Sequence, residues 1–235
     1  SIFSSQEIVW WLTGTHPTRE TAELPIVVWV VSTEYVTIKN GIYRHLDQML
    51  PSWEIEDKGI RVQGHDMHSY FKLKNGSVVH FMSSKGGEEV REKFQAAKVH
   101  LIAIDEEVTE DIWDELQVRQ LAVDKPSIVI SATLVKSEPW ILTLERAAEQ
   151  GDPSIALQRF NTEKNPFINI ETLHRIMDKM DDETKKYRIY GESRKYRGLI
   201  YPRFDRRIHS IDPFVVPKQW PRYFAFDPGF RTAAA

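Results

Sequence analysis

Three acidic residues that follow an apolar run are the strongest candidates for chemistry in this sequence. Asp105, Glu106 and Glu107 come directly after residues 99–104 (VHLIAI). A short apolar run bounded by charge is typical of a strand buried on both faces of a parallel sheet. Acids at the carboxyl end of such a strand lie where open α/β sheets bind ligands. Nucleotide hydrolases place two carboxylates there, one that holds Mg²⁺ and one that activates the attacking water. The alternative is a core strand that runs into a solvated acidic turn.

A second candidate follows the next apolar run. Ser131-Ala132-Thr133 comes directly after residues 126–130 (PSIVI). Small hydroxyl residues at the end of a core strand can sense whether a γ-phosphate is present and pass this on to a moving element. Taken alone, the same three residues fit a simple strand-to-loop turn. Glu107 is predicted to be a surface acid, or one that supports the site only indirectly, and a direct role in the site is the lesser alternative.

The elements that must position these residues alternate between strand and helix patterns. Strands are predicted over residues 25–32, 99–104 and 126–130, which indicates a mainly parallel α/β sheet with flanking helices. An Asn75-Gly76 turn predicts a hairpin within β-structure over residues 53–82, in which residues 60–63 also alternate. Helices are predicted over residues 2–13, 35–49, 88–97, 140–149, 170–180 and 181–190, and a further helix is predicted to be capped by Thr109. In the first helix, one face is predicted to carry Ile2, Gln6, Val9, Trp10 and Thr13. In the helix after Thr109, the residues predicted to face inward are Ile112, Trp113, Leu116 and Leu121.

Composition excludes several classes of protein. The 235 residues carry a net charge of −3 and contain no cysteine, which excludes disulfides and thiolate metal sites. No stretch approaches the roughly 18 apolar residues that a membrane-spanning helix needs. The global charge does not indicate a nucleic-acid binder. However, residues 185–207 hold nine Lys or Arg against two acids, with aromatic residues between them.

The ordered set of motifs resembles one family, the large terminase subunits of tailed double-stranded DNA bacteriophages. Residues 6–14 (QEIVWWLTG) with His16-Pro17 are similar to the segment that follows the family's P-loop. Residues 101–106 resemble its Walker B strand, and Ser131-Ala132-Thr133 resembles its coupling motif. Further similar segments are residues 165–167 (NPF), 190–192 (YGE), 198–202 (GLIYP) and 223–229 (YFAFDPG).

The resemblance implies a P-loop NTPase of the ASCE/RecA-like class. Residues 1–150 would form an ATPase core lacking most of the P-loop, residues 151–220 a small helical linker or lid subdomain, and residues 221–235 the start of a ribonuclease H-like nuclease. The Gly-rich loop and its Lys are absent from this sequence, so upstream sequence is expected to be missing. Downstream sequence is expected to be missing too, because the acids that would join Asp227 in the nuclease site would lie beyond Ala235. The chain is therefore expected to be inactive alone.

The resemblance also assigns roles to individual residues. Asp105 and Ser1 would contact Mg²⁺ and the nucleotide, and Glu106 would be the general base. Arg91 would act in trans on a neighbouring subunit, although the family often carries its arginine nearer the strand, where this chain has Gln95, and a solvated helix arginine is the alternative. Asp227 would bind the nuclease metal, Mg²⁺ or Mn²⁺.

The implied function is an ATP- and Mg²⁺-dependent motor that moves double-stranded DNA into a procapsid, with a nuclease that cuts the concatemer. The implied partners are double-stranded DNA, the portal protein, the small terminase subunit and further copies in a ring on the portal, in the host cytoplasm and without a membrane. Arg194, Lys195 and Arg197 are predicted to face the DNA or the adjoining subunit. The rival interpretations are a superfamily 2 helicase fragment and a non-catalytic assembly protein that keeps the fold as a scaffold.

Overall fold

The computed structural model describes residues 2–85, 98–135, 138–193, 209, 211 and 214–223. The chain divides into two compact units, residues 1–195 and 196–235. The predicted helix over residues 88–97 and the nuclease strand beyond Tyr223 lie outside the described residues. The domain boundaries at residues 150 and 220 stay predictions. Within the described ranges, no helix has the length and apolar character that crossing a membrane requires.

A six-stranded mixed sheet organises the first unit, and its order is β2-β3-β4-β1-β5-β6. Strands β4, β1, β5 and β6 run parallel to one another. Strands β2 and β3 lie at one edge, where β2 pairs antiparallel with β3 and β3 pairs antiparallel with β4. The mainly parallel α/β fold predicted from the sequence is therefore confirmed. The strands are β1 (Val27–Ser32), β2 (Ile55–Lys58), β3 (Tyr70–Leu73), β4 (Val78–Ser83), β5 (Leu101–Asp105) and β6 (Ser127–Ser131).

Helices cover both faces of this sheet. Helices α1, α2 and α3 pack on one face, in a cluster that includes Ile8, Ile38 and Leu46. Helices α4 and α5 pack on the other face, where Trp113 and Trp140 stack with ring centroids 4.4 Å apart. The described helices are α1 (Ile2–Thr13), α2 (Tyr35–Ile38), a π-helical turn (Lys39–Tyr43), α3 (Arg44–Met49), α4 (Glu110–Val118), α5 (Pro139–Glu149), α6 (Ile170–Met177) and α7 (Asp182–Arg188), with a 3₁₀ turn at Thr162–Lys164.

The buried face of α1 differs from the face that the sequence pattern groups together. The buried residues of α1 are Ser4, Ser5, Glu7, Ile8, Trp11 and Leu12, whereas Ile2 is exposed. Sequence periodicity missed this face because three of its members are polar and Trp10 offered an equally apolar alternative. The buried polar residues have partners: the Glu7 carboxylate accepts a hydrogen bond from Trp11 Nε1 at 3.1 Å and pairs with Arg19. This pairing holds the loop after Gly14 against the helix.

Three further predictions need correction. Leu121 is 82% exposed, because α4 ends at Val118 and Leu121 lies in the following turn. Thr109 occupies the N-cap position of α4, but its side chain accepts no capping hydrogen bond. The strand predicted as buried at residues 126–130 is only half-buried, because β6 is the edge strand of the sheet as described.

The predicted hairpin is confirmed. Strands β3 and β4 pair antiparallel across Asn75-Gly76, and Gly76 has a φ of +86° that favours glycine. Asn75 Nδ2 also donates to the Leu12 carbonyl at 2.7 Å, so the turn is fastened to the end of α1. Residues 60–63 form no strand; only an isolated bridge joins Arg61 to His68.

The last part of the first unit is a small helical layer. Leu173, Met177 and Ile189 form its core, and the Asn169 and Asp181 side chains cap α6 and α7. Both helices are shorter than predicted, ending at Met177 and Arg188. In the YGE segment, Gly191 has a φ of +68° and lies so close to Phe160 that an added Cβ would be 2.9 Å from its carbonyl oxygen. Only glycine fits this position.

Candidate functional site

Four polar residues lie side by side at the carboxyl ends of the four parallel strands. The strand register pairs Ser83 with Ser32, Ser32 with Asp105, and Asp105 with Ser131. We call these four residues the polar row.

All four members of the polar row face α1. Alternate residues of a strand share a face, and the residues two positions earlier in each strand belong to the core cluster that contains α1. These residues are Phe81, Val30, Ala103 and Val129. The apolar interior between sheet and helix therefore ends in a line of three hydroxyls and one carboxylate, at the crevice where parallel α/β sheets bind ligands.

Asp105 is the anchor of the polar row. It is only 7% exposed, and Ser131 Oγ donates a hydrogen bond to Asp105 Oδ1 at 3.0 Å. Ser4 Oγ, from the first turn of α1, donates in turn to Ser131 Oγ at 3.0 Å. Burial raises the pKa of the Asp105 carboxyl, and the hydrogen bond from Ser131 offsets part of that rise. A buried carboxylate with one hydroxyl donor can gain stabilisation from a cation.

Glu106 has an unusual backbone conformation. Its φ is +70°, a left-handed value that is uncommon for residues other than glycine and is found repeatedly at functional sites. Its backbone N–H donates to the Ser131 carbonyl at 2.8 Å, and its carboxylate accepts a hydrogen bond from the Thr133 N–H at 3.4 Å. Partial burial is the main cause that raises the pKa of the Glu106 carboxyl, with the negative charges of Asp105 and Glu107 adding to it. Both effects favour the protonated form of this carboxyl.

Two open clefts lie near the carboxyl ends of the parallel strands. A cleft of about 200 Å³ contains the Glu106 carboxylate, and it is lined by Thr33, Glu106, Glu107, Thr133 and Val135. A second cleft of about 250 Å³ adjoins the other end of the polar row, and it is lined by Glu34, Tyr35, Val36, His65, Ser83 and Lys85.

Glu107 was predicted to be a surface acid or an indirect supporter of the site, and the surface alternative is wrong. The residue is 4% exposed, and its Oε2 accepts a hydrogen bond from the Glu138 N–H at 2.9 Å, at the start of α5. Next to it, the Val108 carbonyl accepts a hydrogen bond from Trp140 Nε1 at 2.9 Å. The acidic turn, residues 105–108, is therefore fastened to α5. Pro139 was the available signal, because a proline at the first helical position marks a helix start whose N–H groups need partners.

The possible metal-ligand atoms at Asp105 suit Mg²⁺ chemically. They are all oxygen atoms, and Mg²⁺ is usually bound by one or two carboxylates together with waters and substrate phosphates. A complete protein cage is not required. Among the described residues, no three or more His, Cys, Asp or Glu side chains are grouped so that they could hold a metal ion.

The structure thus brings together five of the predicted site residues: Asp105, Glu106, Ser131, Ala132 and Thr133. The other predicted residues lie outside the described ranges, so their roles stay predictions; they are Ser1, Arg91, Arg194, Lys195, Arg197 and Asp227.

Solved structures with a similar fold are large terminases. The chain is similar to the large terminase of a thermophilic bacteriophage in one crystal form, with a TM-score of 0.60 and 16% identity over 87% of this chain and 48% of the terminase chain. A structure of the same terminase in complex with ADP gives a TM-score of 0.56 and 16% identity, over 91% of this chain and 50% of that one. No protein-family model and no curated protein matches the chain.

The chain spans about half the length of the solved terminases that it matches. At 16% identity this similarity establishes the fold. The large-terminase fold predicted from the sequence is therefore confirmed.

Proposed function

We propose that this chain forms the ATPase part of a DNA-packaging motor subunit, in which ATP hydrolysis drives double-stranded DNA into a procapsid. The observation that carries the proposal is the pair Asp105 and Glu106, at the carboxyl end of a central parallel strand. The fold it shares with a large terminase, one structure of which is a complex with ADP, supports the same function.

Each residue of the pair has a distinct role in this proposal. Asp105 holds Mg²⁺, directly or through water, beside the nucleotide phosphates, with Ser131 fixing the orientation of the carboxylate. Bound Mg²⁺ would supply charge neutralisation on the phosphate oxygens. Glu106 accepts the proton of the attacking water. Its raised pKa is closer to neutral pH than that of an ordinary glutamate, and a general base works best when its pKa is near the working pH.

The remaining roles are proposals that follow from the terminase fold. Ser1 contacts Mg²⁺, and Arg91 reaches the phosphates bound by the neighbouring subunit of a ring. The ring docks on the portal protein in the host cytoplasm and works with the small terminase subunit. Asp227 contributes to an Mg²⁺- or Mn²⁺-dependent nuclease site that cuts the DNA concatemer.

The test of the ATPase proposal is nucleotide binding with and without Mg²⁺, using the protein as its gene encodes it, with any residues before Ser1 or after Ala235. The wild type is expected to bind ADP more tightly with Mg²⁺ than with EDTA. Asp105→Asn should weaken the Mg²⁺-dependent affinity by at least about 10-fold, since even the outer partners of metal ligands contribute that much. Calorimetric titration measures both.

Asp114→Asn is the matched control, because this acid lies exposed on α4. A wild type that binds no nucleotide would favour the scaffold interpretation. Equal losses in the Asp105 and Asp114 variants would show that the effect comes from charge alone.

Helix α5 provides a path from the proposed hydrolysis site to the rest of the subunit. Its first residues bind the acidic turn, as described above. Near its other end, Glu145 and Glu149 accept hydrogen bonds from Arg159 at 2.7 and 2.6 Å, and Glu145 also accepts one from Ser193. A displacement of the acidic turn on loss of the γ-phosphate would therefore move α5, and with it Ser193, which directly precedes Arg194 in the basic segment.

Ser131 and Thr133 are expected to couple hydrolysis to this movement. Ser131→Ala breaks the hydrogen-bond chain from Ser4 to Asp105, and Thr133→Ala removes a hydroxyl from the cleft around Glu106. Each variant should lower the length of DNA moved per ATP hydrolysed more than it lowers ATP affinity. Packaging and ATPase assays in parallel measure that ratio. An equal loss of binding and movement would mean that these residues only maintain the local structure.

A further inference from the structure

Ser32 is the one member of the polar row whose side chain makes no hydrogen bond to the described residues. It ends β1, in register with Asp105 on one side and with Ser83 on the other. The residue is 0% exposed, and its Oγ has no hydrogen-bond partner among the residues that the structure describes. Its backbone is satisfied, because the Ser32 carbonyl accepts a hydrogen bond from the Ser84 N–H at 2.8 Å.

The neighbouring hydroxyls of the polar row are all engaged. Ser131 Oγ donates to Asp105, and Ser83 Oγ donates to the Thr33 carbonyl at 2.8 Å. Ser32 therefore differs from both neighbours: it is fully buried and unbonded, between a carboxylate and a bonded serine.

An unbonded buried hydroxyl lowers the stability of the folded protein, because it has lost its water without gaining a partner. Val28 and Val30 precede Ser32 on the same face of β1, so an apolar side chain would continue the existing core without that cost. A serine in this place has a physical reason if its partner arrives with a ligand. The only carboxylate in the polar row, Asp105, is on the adjacent strand.

We propose that Ser32 is a positioning residue of the nucleotide site, whose hydroxyl becomes bonded to an oxygen atom that enters with the Mg²⁺–nucleotide complex beside Asp105. The inference rests on the proposed ATPase function. Mg²⁺ sheds its waters reluctantly and usually keeps several of them when bound. A hydroxyl next to the carboxylate that would hold the ion can therefore orient these waters by a hydrogen bond. The carboxylate itself would stay bonded to Ser131.

The test compares Ser32→Ala with the wild type in two measurements, again on the protein as encoded. Without ligand, the melting temperature of Ser32→Ala should equal or exceed that of the wild type, because the change removes an unsatisfied polar group. With ligand, the Kd for ADP in Mg²⁺ should rise about 10-fold, the equivalent of one hydrogen bond to a charged group. The Kd for ADP in EDTA should stay within twofold of the wild-type value.

Ser77→Ala is the matched control for a buried serine. Ser77 is also 0% exposed, but its Oγ accepts a hydrogen bond from the Ile26 N–H at 3.1 Å, at the opposite end of the parallel strands. This variant should lose thermal stability and keep its Mg²⁺-dependent affinity.

The outcomes separate the two proposals. An unchanged Kd in Mg²⁺ for Ser32→Ala would overturn the positioning role, as would an equal rise in EDTA. A fall in melting temperature comparable to that of Ser77→Ala would show that Ser32 is structural. A wild type that binds no Mg²⁺–ADP would instead overturn the proposed function itself.

Discussion

Glu106→Gln is expected to bind ATP with an affinity within about twofold of the wild type while ATP turnover falls by about 10² to 10⁴, the usual contribution of a general base. The amide keeps the size and planarity of the carboxylate and can still accept the hydrogen bond from the Thr133 N–H. It cannot accept the proton of the attacking water. Steady-state ATPase assays and nucleotide titrations measure the two quantities separately.

Glu110→Gln is the control, because this acid is exposed in the first turn of α4. Turnover of Glu106→Gln within twofold of the wild type would remove Glu106 from the catalytic role. A loss of affinity as large as the loss of turnover would instead indicate that the substitution disturbs the site as a whole.

The same substitution has an expected effect on stability with a definite sign. Burial raises the pKa of Glu106 in the folded state, so the folded protein binds this proton more readily than the unfolded chain does. The free energy of unfolding therefore decreases as the pH rises through the raised pKa, and the decrease is absent below the unfolded value. Glu106→Gln should be at least as stable as the wild type at neutral pH, and this advantage should vanish in acid. Urea unfolding at several pH values measures it.

The conformation of Glu106 explains why the sequence alone could not describe this site completely. The strand, its double-sided burial and the position of Asp105 follow from an apolar run that ends in charge. The left-handed φ of Glu106 does not follow, because nothing in the residue type favours it. Tertiary contacts impose it: Glu106 bonds to Ser131, 25 positions further along the chain, and Glu107 bonds to Glu138, 31 positions further along.

Burial of polar residues caused the other failures of prediction. Ser4, Ser5 and Glu7 lie inside α1's packed face, whereas periodicity assigns polar residues to the outside. Ser4 and Ser5 donate to remote elements, to Ser131 and to the Ile42 carbonyl, whereas the partners of Glu7 lie in α1 itself and in the loop that follows it. Conversely, the apolar β6 was predicted as buried because its composition is that of a central strand, and edge position is a property of the sheet rather than of the strand's sequence.

The hairpin succeeded for the opposite reason. Its turn is determined locally, because Asn75 and Gly76 favour the required backbone conformation without help from distant residues. The Asn75 side chain also accepts a hydrogen bond from the Ser77 N–H at 2.9 Å, within the turn itself. The turn was therefore predictable from neighbours in the chain, whereas the buried polar contacts of α1 and of residues 105–108 were not.

The basic segment, residues 185–207, gives the second large expected effect. A motor that moves duplex DNA must accept every sequence, so we expect it to hold phosphates rather than base edges. Changing Arg194, Lys195 and Arg197 together to alanine should weaken duplex binding and flatten the log–log dependence of affinity on salt by roughly 2–3 units, since each phosphate contact contributes about 0.9. Fluorescence titrations of a labelled duplex at increasing salt measure the slope.

The control removes the same charge elsewhere, with Arg44, Lys74 and Lys98 changed together to alanine, because all three are exposed. If the effect came from net charge alone, both triple variants would change duplex affinity equally. The slope of affinity against salt would then not flatten by roughly 2–3 units in the Arg194, Lys195 and Arg197 variant alone. An unchanged slope and affinity in the Arg194, Lys195 and Arg197 variant would exclude phosphate contact there. The concentration of positive charge would then favour docking on an acidic surface of the portal or of the adjoining subunit, because complementary charge steers protein association as it steers DNA binding.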